Sequence, residues 1–183
     1  GTGHMGVTAE NVAAEHDISR EAQDAFAMES QTRAAKAIEA GYFASQIVPV
    51  KVRVKRDMVP FEVDEHPKAT TPEALAGLRA VFQKDGTVTA GNASGINDGA
   101  AAMVLARAEA AEAAGLKPRA RVLGYAHAGV RPEVMGIGPV PAVKNLLART
   151  GLSLADFDVI ESNEAFAAQA IACIEDLKVD RDK

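Results

Sequence analysis

Glu161, Ser162, Asn163 and Glu164 stand together in the stretch ESNEAFAAQA. Two carboxylates, a hydroxyl and an amide in four residues can move protons, orient a water or hold a helix end. The preceding FDVI is apolar and β-branched and predicts a buried strand; the following AFAAQAIACI is rich in alanine and predicts a helix. Polar groups beside a buried strand need partners or a task. The carboxyl end of a strand that leads into a helix is where open α/β sheets place their chemistry. Glu161 and Glu164 fit a general acid and base. They fit equally well as acceptors for the free N–H groups of the helix start, which the helix dipole favours.

A second stretch, TAGNASGINDGAAA, sets Gly91, Gly95 and Gly99 four residues apart and adds Asn92, Ser94 and Asn97 as neutral hydrogen-bonding groups. Such a run lets backbone approach a ligand closely. It matches neither GxGxxG nor GxxxxGK[ST], so on spacing alone tight packing of strand against helix is preferred over a phosphate loop. In VMGIGPVPA, two glycines and two prolines fix a loop shape around Met135, which reads as core or as a soft wall of an acyl pocket. His4, His16, His66 and His127 show no metal-ligand spacing, and no metal site is expected. Cys173, the single cysteine, falls ten residues after Asn163 in a helical run and reads as a buried, quiet thiol.

These groups need elements to position them. Thr8 predicts a helix cap, and Ser19 a second one for a helix from Arg20 to Ala40, with Ala25, Met28, Ala35 and Ile38 on its inner face and Gly41 as the stop. IVPVKVRVKR alternates as a strand that Pro49 places at an edge or a start. MVPFEVDEHPKATTP reads as loop; Thr71 and Pro72 open a short helix with Leu75, Leu78 and Phe82 on one face. From residue 121 the pattern is strand (RVLGYAHAGV), helix (PAVKNLLARTG, stopped by Gly151), strand (158–162), and a helix starting within about two residues of Asn163. A βαβα order implies a parallel pair with a right-handed crossover. Two strands make too small a sheet to stand alone, so further strands are expected.

The chain has 183 residues, 48% of them hydrophobic and only 4% aromatic, which is enough for a core built largely on alanine. A net charge of -5 argues against a nucleic-acid partner, although KVRVKR is locally basic. One cysteine excludes an internal disulfide, no apolar run is long enough for a membrane span, and no signal peptide is visible. A cytoplasmic location is the expectation. GTGHM is compatible with an added leader or with native sequence.

HMGVTAENVA, SREAQDAFA, DGTVTAGNASGINDGAAA, VMGIGPVPA and ESNEAFAAQA, in this order and spacing, resemble the thiolase family, in particular its acetyl-CoA acetyltransferase branch. The resemblance runs over nearly the whole chain and favours native sequence from His4. It implies an α/β, thiolase-like layered fold in which residues 1–93 are most of the inserted loop domain, 94–116 the end of the N-terminal half, and 117–183 the first βαβα of the C-terminal half. It implies a cysteine acyl-enzyme that condenses two acetyl-CoA to acetoacetyl-CoA and CoA, or the reverse thiolysis. Coenzyme A thioesters are the substrates, with no other cofactor, in a parent expected to be a homotetramer of fatty-acid metabolism. A 3-ketoacyl-CoA or 3-oxoadipyl-CoA thiolase is the neighbouring alternative. From other classes come a non-catalytic CoA- or acyl-binding α/β module and a helical interaction segment on residues 8–40.

Residue by residue, the resemblance makes Asn163 the amide that holds a water at the developing enolate oxygen, with Phe166 beside it. Ser94 and Ala90 match positions along the pantetheine arm. Phe82, Met135 and Met5 match the walls of the acyl and pantetheine region, with His4 near them, and Lys68 is a candidate for the nucleotide phosphates. The family's nucleophilic cysteine, its GHP histidine and its CxGGGxG cysteine have no match here, and Cys173 corresponds to neither cysteine. The expectation is therefore an internal section of a thiolase, inactive by itself.

Overall fold

The computed structural model describes residues 3–183. The question of a leader at Gly1 and Thr2 concerns positions outside these residues. Helix α1 spans Met5–Glu15 and α2 spans Arg20–Glu39. Thr8 is not the cap of α1. It lies inside the helix with its hydroxyl donating back to the Met5 carbonyl (2.7 Å), and His4 is the cap, its Nδ1 accepting the Gly6 N–H at 3.1 Å. Ser19 caps α2 as expected by accepting from Ala22 N–H (3.2 Å). Gly41, at φ +72°, closes α2: its N–H donates to Ile38 and that of Tyr42 to Ala37, the paired bonds of a left-handed helix stop.

The buried face of α2 differs from the apolar one expected. Gln23, Asp24 and Ala27 are buried, whereas Ala25, Ala35 and Ile38 are exposed. The reason is polar. Gln23 Nε2 donates to the Ile18 carbonyl (3.2 Å) and the Thr87 hydroxyl (3.0 Å), and Asp24 accepts from Arg20 and Asn92. Hydrogen-bonded polar groups can occupy an interior, and of these two side chains only the Gln23 Oε1 lacks a partner among the described residues. The apolar core lies between α1 and the last helix, and joins Val12, Ala13, Ile18, Val134, Ala168 and Ala172.

Strand β1 (Val50–Val54) forms where the alternation predicts it. It pairs antiparallel with β2 (Asp57–Phe61), taken from the stretch that reads as loop. A two-residue turn with Lys55 at φ +57° brings MVPF back along VKVRV; Pro60 hides the strand signal because it cannot donate to a ladder. Thr71 caps α3 (Pro72–Ala76) by accepting from Ala74 N–H (3.2 Å). That helix stops at Gly77, so Leu75 alone of the three expected apolar residues lies on it.

Residues 94–107 follow without regular structure, then α4 (Ala108–Ala113), a 3-10 turn at Pro132–Ile137, α5 (Pro139–Thr150) ended by Gly151 at φ +72°, and α6 (Ala167–Leu177). The two expected parallel strands do not form a ladder among the described residues. Segments 121–130 and 157–164 have no regular secondary structure and join no ladder, with Val122, Leu123, Tyr125 and Val159 exposed. A strand is defined by its neighbour, and the neighbours here are side chains or a terminus. Arg149 donates to the Tyr125 carbonyl (3.1 Å), and Ile160 N–H to the Lys183 carbonyl (2.9 Å).

One buried carboxylate ties α1 to the segment that leads into the site. Glu10, 6% exposed, accepts from the N–H groups of Thr87 (2.8 Å) and Val88 (2.9 Å) and from the Thr87 hydroxyl (2.9 Å). Glu10→Gln replaces one acceptor oxygen by a donor that faces donors. Its expected cost is about 3 kcal/mol, read as a lower urea midpoint with an unchanged slope.

Candidate active site

The turn at 161–166 is built from both sides. Phe166 and Ala93 form an isolated antiparallel bridge. The Ser94 N–H donates to the Ala165 carbonyl (3.0 Å), and the Ala167 N–H to the Asn92 carbonyl (2.9 Å). The two stretches singled out in the sequence, TAGNASG and NEAF, are thus in direct backbone contact. The same bonds explain why α6 starts at Ala167, four residues after Asn163, and not within two. Residues 165–167 spend their backbone groups on the bridge, and Phe166 is extended (φ -143°, ψ 139°). Asn163 is exposed two residues before this anchored segment. Glu164 is not the cap of α6, which is Phe166; its carboxylate accepts from the Ser30 hydroxyl of α2 (2.6 Å).

Aromatic rings extend the bridge. His4 stacks on Phe82 with centroids 4.9 Å apart and an interplanar angle of 22°, and Phe82 meets Phe166 edge-on at 6.2 Å and 80°. Gly6 makes this possible, because a β-carbon there would fall inside the Phe82 ring. His4, Phe82, Phe166 and Ser94 therefore belong to one continuous group. Met5 adjoins His4 and is half-exposed; Met135 stands on the 3-10 turn packed against α1 and is also half-exposed. Ala90 is exposed next to the buried Thr89. Lys68 is exposed, and its backbone N–H donates to Gln31 Oε1 of α2 (3.2 Å).

A cleft of about 250 Å³ opens beside the bridge, between α2 (Phe26, Ser30, Gln31), His66, residues 91–95 and Glu164. Ser94 lines it, and Gln31 brings the Lys68 backbone to its edge. A larger, more apolar groove of about 650 Å³ runs between α2 and α3 and contains none of the residues singled out for chemistry. No group of three or more histidines, cysteines or carboxylates suited to a metal occurs among the described residues. Cys173 is buried in α6, where desolvation pushes its thiol above the ordinary value despite the Gln169 amide that donates to it (3.5 Å). A thiol held protonated inside a helix is a poor nucleophile.

Asn92 was marked in the sequence only as one of the neutral hydrogen-bonding groups of the glycine-rich run, and Asp24 not at all, yet both hold this turn. The Asn92 side chain accepts from Thr89 N–H (2.8 Å) and donates to Asp24 (2.9 Å) and to the Thr87 carbonyl (3.1 Å). The only signal available was the position of Asn92 inside the glycine-rich run.

A small-residue loop bridged to an amide-bearing turn, with an aromatic wall and an adjoining cleft, is what these residues build together. Residues 2–109 match the family model "Thiolase, N-terminal domain" and residues 116–183 the model "Thiolase, C-terminal domain", so the chain belongs to the thiolase family. It is 60% identical over 176 residues to a beta-ketoadipyl-CoA thiolase of Pseudomonas aeruginosa, covering 96% of this chain and 44% of that protein. The crystal structure of the Bacillus anthracis acetyl-CoA acetyltransferase superposes with a TM-score of 0.91 at 53% identity, over 98% of this chain and 46% of that one. The human mitochondrial 3-ketoacyl-CoA thiolase in complex with CoA gives 0.87 at 48% identity, over 96% and 44%. The chain spans less than half the length of the relatives it matches.

The Gly6–Phe82 contact gives a test of the wall. Alanine for glycine inside a helix ordinarily stabilises by about 1 kcal/mol. Gly6→Ala is expected instead to destabilise by about 1–3 kcal/mol through overpacking. Phe82→Ala in the same chain should relieve most of that penalty, which a double-mutant cycle in urea measures.

Proposed function

We propose that this chain is the section of a thiolase that supplies the oxyanion-supporting amide and part of the CoA channel. The parent reaction is acetoacetyl-CoA plus CoA giving two acetyl-CoA, or its reversal. In it a cysteine from outside the matched motifs carries the acyl group, and a carbanion formed on acetyl-CoA attacks it. The observation that carries this reading is the bridge between Ala93 and Phe166, which joins the small-residue loop to the turn of Asn163. A neutral amide holds a water without titrating, so it serves the enolate oxygen at any working pH. Ser94 and Ala90 leave room for a narrow pantetheine arm, and the rings of Phe82, Phe166 and His4 supply an apolar wall on one side. Met5 and Met135 are soft side chains for the acyl region, and Lys68 a cation for the phosphates.

The relatives' names span acetyl, 3-ketoacyl and β-ketoadipyl substrates. Acetyl-CoA is our choice among them, on the HMGVTAENVA stretch. The parent is read as a cytoplasmic homotetramer of fatty-acid metabolism that needs no cofactor beyond its CoA thioesters. Exposed Val50, Val54, Met58 and Phe61 on the β1–β2 hairpin support an oligomeric contact.

The test is Asn163→Ala in the full-length enzyme that carries this stretch. Loss of one oxyanion-supporting donor is expected to lower kcat about 100-fold or more, with KM for CoA little changed because the amide acts on charge that develops only in the transition state. Unchanged turnover with weakened CoA binding would refute the assignment.

A further inference from the structure

We propose that Asn92 is a positioning residue for the reaction: through its buried bond to Asp24 it fixes the bridge that places Asn163. This rests on the thiolase reading above. Asn92 is 3% exposed, and all three of its side-chain bonds are made to fixed partners. Its Oδ1 takes the Thr89 N–H, and its Nδ2 serves both Asp24 Oδ1 and the Thr87 carbonyl. Only an amide offers an acceptor and two donors in that geometry; a carboxylate has no donor, and serine is too short for all three.

Asp24 is itself immobilised. Its Oδ2 accepts from Arg20 Nε (2.7 Å), and Arg20 Nη2 donates to the carbonyls of Leu75 (2.6 Å) and Leu78 (3.0 Å). The Asn92 main chain then carries the constraint onward. Its carbonyl accepts the Ala167 N–H, and two residues later Ser94 N–H reaches the Ala165 carbonyl. The path from Arg20 to the turn is thus continuous, buried at Asn92 and Thr89, and two residues short of Asn163. A bridge of two hydrogen bonds has little register preference of its own; the side chain of Asn92 supplies it.

The decisive variant is Asn92→Asp in the full-length enzyme. It is nearly isosteric, keeps the acceptor for Thr89, removes both donors and sets a second carboxylate against Asp24. The expected result is a fall in kcat for thiolysis of about 100-fold, the scale of a small misplacement of a reacting group, with KM for CoA little changed. Hydrogen exchange at the Ala167 and Ser94 amides should speed up. The pair Asp24→Asn with Asn92→Asp reverses the sense of the bond and lets the new amide donate to the new carboxylate, while losing the bond to Thr87 and the charge of the pair with Arg20. It should regain about tenfold in kcat. Asp24→Asn alone leaves Asn92 in place, covers the case in which Asn92→Asp does not fold, and should lower kcat about tenfold by mispairing one of the two donors that face it. A kcat equal to wild type in Asn92→Asp or Asp24→Asn, even with a lowered melting temperature, would overturn the proposal by showing a structural role only. So would a double variant no better than Asn92→Asp. A wild-type enzyme with no thiolysis at all would overturn the functional reading together with this one, whereas an active wild type with unaffected variants removes only the positioning role.

Discussion

Two backbone hydrogen bonds, from Ala167 to Asn92 and from Ser94 to Ala165, hold together what would otherwise be two distant loops. The start of α6, the edge-on contact of Phe82 with Phe166 and the mouth of the cleft all depend on them. Two such bonds contribute on the order of 1 kcal/mol each, too little to order both loops against their conformational entropy. The bridge is therefore built on supports from outside: Glu10 beneath Thr87 and Val88, Asn92 beneath Thr89, and Ser30 on Glu164.

Those supports explain the composition of the interior. The fully buried side chains include Gln23 and Thr89 beside Val12, Val88 and Val134. The apolar core is small because alanine supplies much of the hydrophobic content and aromatics are few. Apolar contact is non-directional and tolerates sliding. A buried carboxylate or amide loses its bonds if its neighbour slips by one residue, so it sets register where a core of alanines cannot. The residual imperfections mark the same trade: Gln23 Oε1 and Gln169 Oε1 are buried without a partner among the described residues.

Features set by short-range chemistry were legible in the sequence. Ser19, Thr71 with Pro72, Gly41 and Gly151 each mark a helix end, and each does so through bonds within a few residues. The alternation of β1 is likewise local. What the sequence did not disclose is set by partners far along the chain. MVPF becomes β2 because VKVRV lies opposite, and α2 buries Gln23 and Asp24 because Thr87 and Asn92 need them. His4 replaces Thr8 as the cap of α1 and stacks on Phe82, 78 positions away. Asn163, Phe166 and Ser94 were marked together only through collinear motifs; periodicity gave the helix after them, but not the bridge that delays it, and the strand it predicts at 158–162 does not form.

The position of Asn163 follows from this division. Downstream of it, Ala165, Phe166 and Ala167 are fixed by residues 92–94. Upstream, residues 157–162 have no regular structure, Val159 is exposed, and the Ile160 N–H bonds to the Lys183 carbonyl. Residues 121–130 likewise join no ladder, and side chains of α5 donate to their His127 and Tyr125 carbonyls. The amide is thus held tightly from one side and loosely from the other. The downstream restraint comes through the bridge at Phe166, and the upstream one through the Ile160 N–H on the Lys183 carbonyl. The chain of bonds from Arg20 through Asp24 to Asn92 therefore sets where the turn begins, and the amide lies two residues before the point it fixes.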